Sequence, residues 1–383
     1  MNTTLTSWDV VIVEDLDSAL VDQVADFFNE HFPGTYWPSC DPEVFRWKIG
    51  DSNPAGRGIL ALAMCEGVIA GVMTATRKQL MLSGQTVTAA EVGDTFTNPA
   101  FRRAGQARVL AGGTQGFDEY LNRSVFGRLV NDVTGQLLRD GVEIVYGTPN
   151  DQSGPGYLRR GQYILHEELN ISFWHRPSLA VFQKKFPGQM IGGVLHSAFA
   201  RLRRPTSPTD SSIELERISL SGRLPDSLLR EFDNLWDGLT KPPGLCLTQN
   251  GKYVQHRYAD HPSGSFVAHL IRRDRTLIGF VISRHLKKVD DPGTLGIADW
   301  VLQDGEDEKV LAWAIDCVSA EANPDESPAL WSDNSFLRRS TLRRMGFFRN
   351  GPIAFIRAVN HNLGEAKATS LSADLRLGWS DNV

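Results

Sequence analysis

"GDTFTNPAFRRAGQ", residues 93–106, ends a strand-like run and turns at once into two cations and a glycine. The run it ends, "SGQTVTAAEVGDTFT", follows two other strand-like segments, "GILALAMCEG" and "VIAGVMTATRKQLML", joined at Glu66-Gly67. Short β-rich runs punctuated by glycine predict an antiparallel meander. Asn98-Pro99 stops its last strand, because proline cannot donate to a ladder. Downstream, "SVFGRLVNDVTGQLLRDG" sets Val125, Phe126, Leu129, Val130, Val133 and Leu137 on one helical face,. It leads into the short apolar strand "VEIVYGTPN". A strand, a helix and a strand in that order predict a crossover and a parallel pair. Upstream, "WDVVIV" reads as a strand, and "DSALVDQVADFFNEHF" as an amphipathic helix stopped by Pro33-Gly34,. The expected class is α/β, a mixed and mainly antiparallel sheet flanked by helices.

With 383 residues the chain exceeds one ordinary core, so two domains are expected,. Hydrophobic residues at 41% and charged residues at 22% are those of a globular protein,. A net charge of −5 offers no basic field for DNA or RNA,. Cys40, Cys65, Cys246 and Cys317 are far apart, which suits a reducing cytoplasm and gives no zinc signature,. The nine histidines show no metal spacing either, so no metal is expected. The first residues lack the cationic start and long apolar run of a signal peptide. No uncharged apolar stretch is long enough to span a bilayer.

The second half echoes the first. "EVFRWKIGDSNPAGRGILALAMCEGVIAGVM" lies over "GKYVQHRYADHPSGSFVAHLIRRDRTLIGFVI", with Pro54 on Pro262, Gly56 on Gly264 and Gly71 on Gly279, each 208 apart. Coincident turn residues at one offset suggest a duplication. The expected division is a first domain over 8–180, a helix and linker over 181–212, a second domain over 213–360 and a tail over 361–383. In the connecting stretch, Met190, Ile191, Val194, Leu195, Ala198, Phe199 and Leu202 keep helical spacing beside Lys184, Lys185, Arg201, Arg203 and Arg204. Such a stripe over 186–204 suits a helix docked between domains, or one lying on a membrane surface.

Two motifs carry the chemistry. After the strand end Asp94-Thr95-Phe96-Thr97 comes "RRAGQA", with Arg102, Arg103, Gly105 and Ala107; beyond the crossover, Asn150 precedes Ser153, Tyr157 and Gly161 by three, seven and eleven residues. Together they resemble the GNAT superfamily of acyl-CoA N-acyltransferases, over about residues 8–175 and more faintly over 212–360. That family shows Arg/Gln-x-x-Gly-x-Gly/Ala after its fourth strand and the same Asn, small residue, Tyr, Gly spacing. One departure stands out: "AGQARVLAGGTQGFDEYLNR" is glycine-punctuated and weakly periodic, and clean helical periodicity begins at Ser124, a good N-cap,. Either an insertion splits the pyrophosphate cradle between Arg102-Arg103 and the helix start Arg123-Ser124-Val125-Phe126-Gly127, or Gly105-Gln106-Ala107 forms it contiguously.

The resemblance implies acetyl-CoA as cosubstrate, held by Thr95, Phe96 and Thr97 of the fourth strand, by the cations and helix start, and by Asn150 and Ser153. It implies Tyr157 as the acid that protonates the departing thiolate, a phenol's reference pKa of about 10 being close to a thiol's. Glu91 is the candidate base. Strand alternation sets it and Asp94 on opposite faces. Trp37, Arg46 and Lys48, with Asp94, are the candidate acceptor-site residues, the two cations suiting an anionic acceptor. In the second copy "DGEDEK" stands where the phosphate cradle falls, and Thr341 stands seven residues beyond Asn334. An acidic helix start repels phosphate, so this copy reads as degenerate. The expected activity is acetyl transfer to a small amine, an amino sugar or sugar nucleotide by resemblance to bacterial polysaccharide or secondary-metabolite enzymes. The rivals are a transferase that takes aminoacyl groups from transfer RNA and a non-catalytic ligand-binding protein.

Overall fold

The computed structural model describes residues 9–13, 15–32, 40–102, 124–159, 163–165, 171–185, 193–195, 197–198, 210–241, 245–288, 291–332, 337–353 and 355–359. The chain divides into two compact units, Met1–Glu167 with Ala354–Leu371, and Glu168–Ile353 with Ser372–Val383. Most of the expected stripe over 186–204 lies outside the described residues.

In the first unit β1 (Asp9–Ile12) is followed by α1 (Ser18–His31) and α2 (Pro42–Ile49). Asp17 starts α1 by accepting from the Leu20 amide at 2.6 Å, and Asp41 starts α2 by accepting from the Glu43 amide at 2.9 Å. Both satisfy amides that a helix start leaves without partners. The meander is β2 (Ile59–Cys65), β3 (Val68–Leu82) and β4 (Gln85–Thr97). Its turns place Glu66-Gly67 and Ser83-Gly84 at positive φ, the two-residue geometry that matches strand twist,. Then come α3 (Val125–Arg139), β5 (Ile144–Gly147), α4 (Gly154–Leu158) and β6 (Ile164–Leu165). The crossover helix starts where its periodicity begins: Ser124 is extended and its hydroxyl accepts from the Gly127 amide at 3.1 Å.

The sheet runs β1-β2-β3-β4-β5, then takes β15 (Ile356–Val359) from the far end of the sequence, then β6. All neighbours are antiparallel except β4 and β5. One face packs on α3, with Ala61, Ala63, Met73, Ala75, Ala90, Val92, Val145, Ile356 and Ala358 against Val125, Leu129, Val130, Val133 and Leu137. The other packs on α1 and α2 through Leu60, Leu62 and Val72.

The second unit contains β7 (Ser172–His175), β8 (Ile213–Leu220), β9 (Leu245–Leu247), β10 (Phe266–Arg273), β11 (Thr276–Lys288), β12 (Asp291–Leu302), β13 (Ser327–Ser332) and β14 (Phe348–Pro352). Its sheet order is β8-β10-β11-β12-β13-β7-β14, with β12 and β13 parallel. This order repeats the seven-strand path of the first sheet, parallel pair included. The echo is also local: Gly56 N–H donates to Asn53 O and Gly264 N–H to His261 O, both at 2.9 Å. The first-unit turn Glu66-Gly67 recurs as Asp274-Arg275, again at positive φ. The boundaries drawn from the sequence are crossed in both sheets. Ser172–His175, read with the first half, pairs in the second sheet, and Ile356–Val359, read with the second half, pairs in the first. Periodicity marks a segment as a strand but cannot name its partner, because pairing is a long-range choice.

Candidate active site at the splayed strands of the first unit

The parallel pair β4–β5 is held only at Ala89–Ile144, Ala90–Val145 and Glu91–Tyr146. β4 then runs on to Thr97 along β3 with no further partner in β5, so the two strands part. At the parting the β3–β4 register slips: Thr74 faces Gly93 and Val72 faces Phe96, which sets Asp94 and Thr95 against Met73 alone. Asp94 takes up the extra residue with φ +45. A bulge of this kind bends the strand and re-aims its side chains. Beyond it, Asn98 N–H donates to Ala70 O at 2.9 Å. By alternation Thr97 turns its backbone groups to the open side, where an extended amide chain can pair with them.

The bulge overturns one expectation. Glu91 stands opposite Thr76, and Asp94 accepts from the Thr74 hydroxyl at 2.8 Å. Thr74 and Thr76 are two apart on β3 and share a face, so Glu91 and Asp94 share it too, rather than taking opposite sides. The extra residue cancels the alternation. Lys48, at the end of α2, donates to the same Asp94 oxygen at 2.6 Å, and both side chains are buried. The ammonium offered to an acceptor from the sequence is thus spent on a carboxylate inside the fold. Lys78 likewise lies 3.4 Å from Glu91. Arg46 is on the surface, 3.3 Å from Asp22 of α1, while Trp37 lies outside the described residues.

On the α3 side the Tyr157 hydroxyl lies 2.6 Å from the Thr95 hydroxyl. The Asn-x-x-Ser-x-x-x-Tyr spacing has a local cause. Asn150 Oδ1 accepts from the amides of Gln152 and Ser153 and from the Ser153 hydroxyl, closing the turn from which α4 carries Tyr157 inward. Gly156 permits this, since a Cβ there would lie 2.6 Å from the Phe126 ring. Burial pushes the Tyr157 phenol well above 10, against a smaller downward pull from Thr95, with Asp94 adding to the rise. The neighbouring Tyr163, bonded to Thr134 at 2.8 Å, is raised by burial too. Burial therefore favours the protonated phenol, and either hydroxyl of the Tyr157–Thr95 pair can be the donor. The same burial moves the phenol away from the thiol range that its reference value suggests,.

The start of α3 is pressed against the end of β4. A Cβ on Gly71, which pairs with Thr97, would stand 2.6 Å from Val125 Cγ1 and 3.0 Å from Phe96 O. Helix starts favour anions through exposed amides and the helix dipole. Arg102 donates to Thr97 O at 3.1 Å and lies over the Phe96 ring, whose other neighbours are Phe27, His31 and Phe32 of the α1 end. Phe96 therefore contributes packing through its side chain. Arg103, Gly105, Arg123 and Gly161 lie outside the described residues. No group of His, Cys, Asp or Glu among the described residues could hold a metal.

An antiparallel meander, a parallel pair that parts at a bulge, and a crossover helix whose start meets the strand end identify the architecture. The chain has the GNAT acyltransferase fold. It superposes on a GCN5-related N-acetyltransferase from Anabaena variabilis ATCC 29413 with TM-score 0.53 and 13% identity, covering 92% of this chain and 73% of that one. It superposes on Saccharomyces cerevisiae N-myristoyltransferase bound to myristoyl-CoA with TM-score 0.59 and 12% identity, covering 93% of this chain and 83% of that one. No protein-family model matches the sequence, and none of the curated proteins does.

The second unit repeats the parting. β12 and β13 pair only at Thr294–Ser327, Leu295–Pro328 and Gly296–Ala329. A buried carboxylate, Asp299, stands three residues on, as Asp94 does past Glu91; it accepts from Gln249 and, at 3.0 Å, from Tyr258. The following helix, Glu308–Ala320, is capped by Asp307 and opens on Glu308. Like charge at a helix start opposes phosphate. Thr341 is described and buried, whereas Asn334 is outside the described residues.

Sequence reasoning missed four residues on the Glu91 face, Thr74, Lys78, Tyr146 and Arg357. The signal was present for one of them. In "AFIRAV" an arginine interrupts a run that is otherwise apolar on both faces, a pattern that marks a charge at a buried position.

Proposed function

We propose that the first unit is an acyl-CoA-dependent N-acyltransferase, with acetyl-CoA as the donor and a small amine as the acceptor. The carrying observation is the parting of β4 from β5 after Glu91–Tyr146, with a bulge at its mouth and Tyr157 bonded to Thr95 beside it. The pantetheine amides extend β4's ladder along the edge that β5 leaves uncovered past Glu91–Tyr146,. The pyrophosphate meets Arg102 and the Ser124-capped start of α3. The amine nitrogen attacks the thioester carbon and the C–S bond breaks. Glu91 takes the proton the ammonium must lose before attack, directly or through water. Tyr157 donates a hydrogen bond to the departing sulfur, which is protonated as the new amide nitrogen gives up its second proton. The second unit, with its acidic helix start, takes no coenzyme.

The test is calorimetric titration of the full chain with acetyl-CoA, followed by thiol release with a panel of small amines. Micromolar binding weakened at least tenfold by Arg102→Ala is expected. Turnover should fall about 10²-fold in Tyr157→Phe at unchanged donor affinity. A folded wild type that binds no coenzyme A removes the proposal.

A further inference from the structure

Opposed residues on neighbouring strands share a face, so the register draws a line across the first sheet. Thr76 of β3 faces Glu91 of β4, Glu91 faces Tyr146 of β5, Tyr146 faces Arg357 of β15, and Arg357 faces Ile164 of β6. Their neighbours Ala90, Val145, Ile356 and Ala358 pack towards α3, so this row looks to the opposite side. Phe355, two residues before Arg357 and on the same face, stacks on Tyr146 with ring centroids 5.5 Å apart. The row crosses the sheet at the last pair before β4 and β5 part.

Arg357 is only 2% exposed, and its Nε and Nη1 have no hydrogen-bond partner. Burial alone pushes its guanidinium below the usual range. The buried cations of this unit among the described residues are Lys48, Lys78 and Arg357. The first two are matched by Asp94 and Glu91. Among the described residues, Arg357 is the buried cation of this unit with no carboxylate set against it. An uncompensated buried charge is costly and is retained where something outside the chain completes it. Ile164, which pairs with Arg357 on the last strand of the sheet, is 51% exposed.

We infer that Arg357 binds the carboxylate of the acceptor, so that the substrate of the first unit is a small amine carrying an acid group. This rests on the transferase reading and on Glu91 as its base. An anionic group set against Arg357 supplies the partner its guanidinium lacks, and the flat fork matches a carboxylate in two parallel bonds,. Glu91 and Arg357 stand two strand spacings apart, about 10 Å between backbones. An amino acid that spans this distance sets its amine toward Glu91 and its acid toward Arg357. An amino sugar without an acid group does not meet this requirement.

The test separates the anion site from the transfer. Thermal melting of the full chain without coenzyme A is followed against 4-aminobutyrate, 4-aminobutyramide and inorganic phosphate at matched ionic strength. The wild-type midpoint should rise saturably with the carboxylate and not with the amide or phosphate. Arg357→Met should melt about 3 °C or more above wild type without ligand, since an unpaired buried charge has gone. It should then be indifferent to the carboxylate, while Arg357→Lys keeps part of the response. A purely structural arginine gives the reverse, a variant that melts below wild type; that result, or an unchanged carboxylate response in Arg357→Met, overturns the inference. A response to phosphate but not to carboxylate overturns the acid assignment. With acetyl-CoA present, kcat/KM for the amino acid should exceed that for its amide by about 10²-fold and lose that preference in Arg357→Met. Turnover of both without preference refutes this site and leaves the transferase standing. Arg357-dependent binding without turnover refutes the transferase and leaves the site.

Discussion

Lys48→Met is the perturbation that most directly interrogates the bulge. The Lys48 and Asp94 side chains are 2% and 0% exposed and meet at 2.6 Å, with Thr74 as the other donor to the same oxygen. Removing water from two such ions costs several kcal/mol each, offset only by their mutual attraction and hydrogen bonds. Methionine keeps the length of the lysine stem and deletes the charge, so Asp94 is left buried with one hydroxyl. The expected loss is about 3–5 kcal/mol of unfolding free energy. At roughly 2–4 °C per kcal/mol, the midpoint of the transition that melts the first unit falls by about 10 °C. Adding Asp94→Asn should recover all but about 1 kcal/mol, because asparagine tolerates the positive φ, still accepts from Thr74 and carries no charge,. Urea denaturation of the wild type, both single variants and the double variant closes the cycle. A Lys48→Met loss below about 1 kcal/mol, typical of a solvated pair, would refute the reasoning. So would a double variant no more stable than Lys48→Met.

Alkaline pH reads the two buried phenols. Burial raises Tyr157 and Tyr163 above the ordinary phenol value of about 10, so the folded state keeps their protons while the unfolded chain releases them. Their contribution is complete below pH 10 and is lost as pH rises through the folded values; urea midpoints from pH 8 to 11 should fall above 10, less steeply in Tyr157→Phe. Gly71→Val drives a branched side chain into Val125 Cγ1, Phe96 O and Leu129 Cδ1. Overpacking there should cost about 1–3 kcal/mol, displace the start of α3 from β4 and weaken acetyl-CoA binding in the same titration. Equal affinity in a destabilised Gly71→Val protein detaches the helix start from the donor site.

Local chemistry was legible in the chain. The cap at Ser124, the turns at Glu66-Gly67 and Ser83-Gly84, and the start of the crossover helix follow from groups a few residues apart. The duplication was legible too, because two copies of one turn need the same glycines. So was the turn that delivers Tyr157, since Asn150 acts on residues 152 and 153. What the tertiary structure decided was where non-local partners fall. One extra residue at Asp94 brought two carboxylates to a single face, and no count of alternating positions reveals a bulge that depends on the neighbouring strand. Lys48 was a candidate acceptor-site cation until the fold set Asp94 before it. The exchange of β7 and β15 between the sheets brought Arg357 beside Tyr146, far from it in sequence. Hydrogen bonds within a turn are written in adjacent residues, whereas strand pairing and burial are settled only when the whole sheet closes its ladders and excludes water.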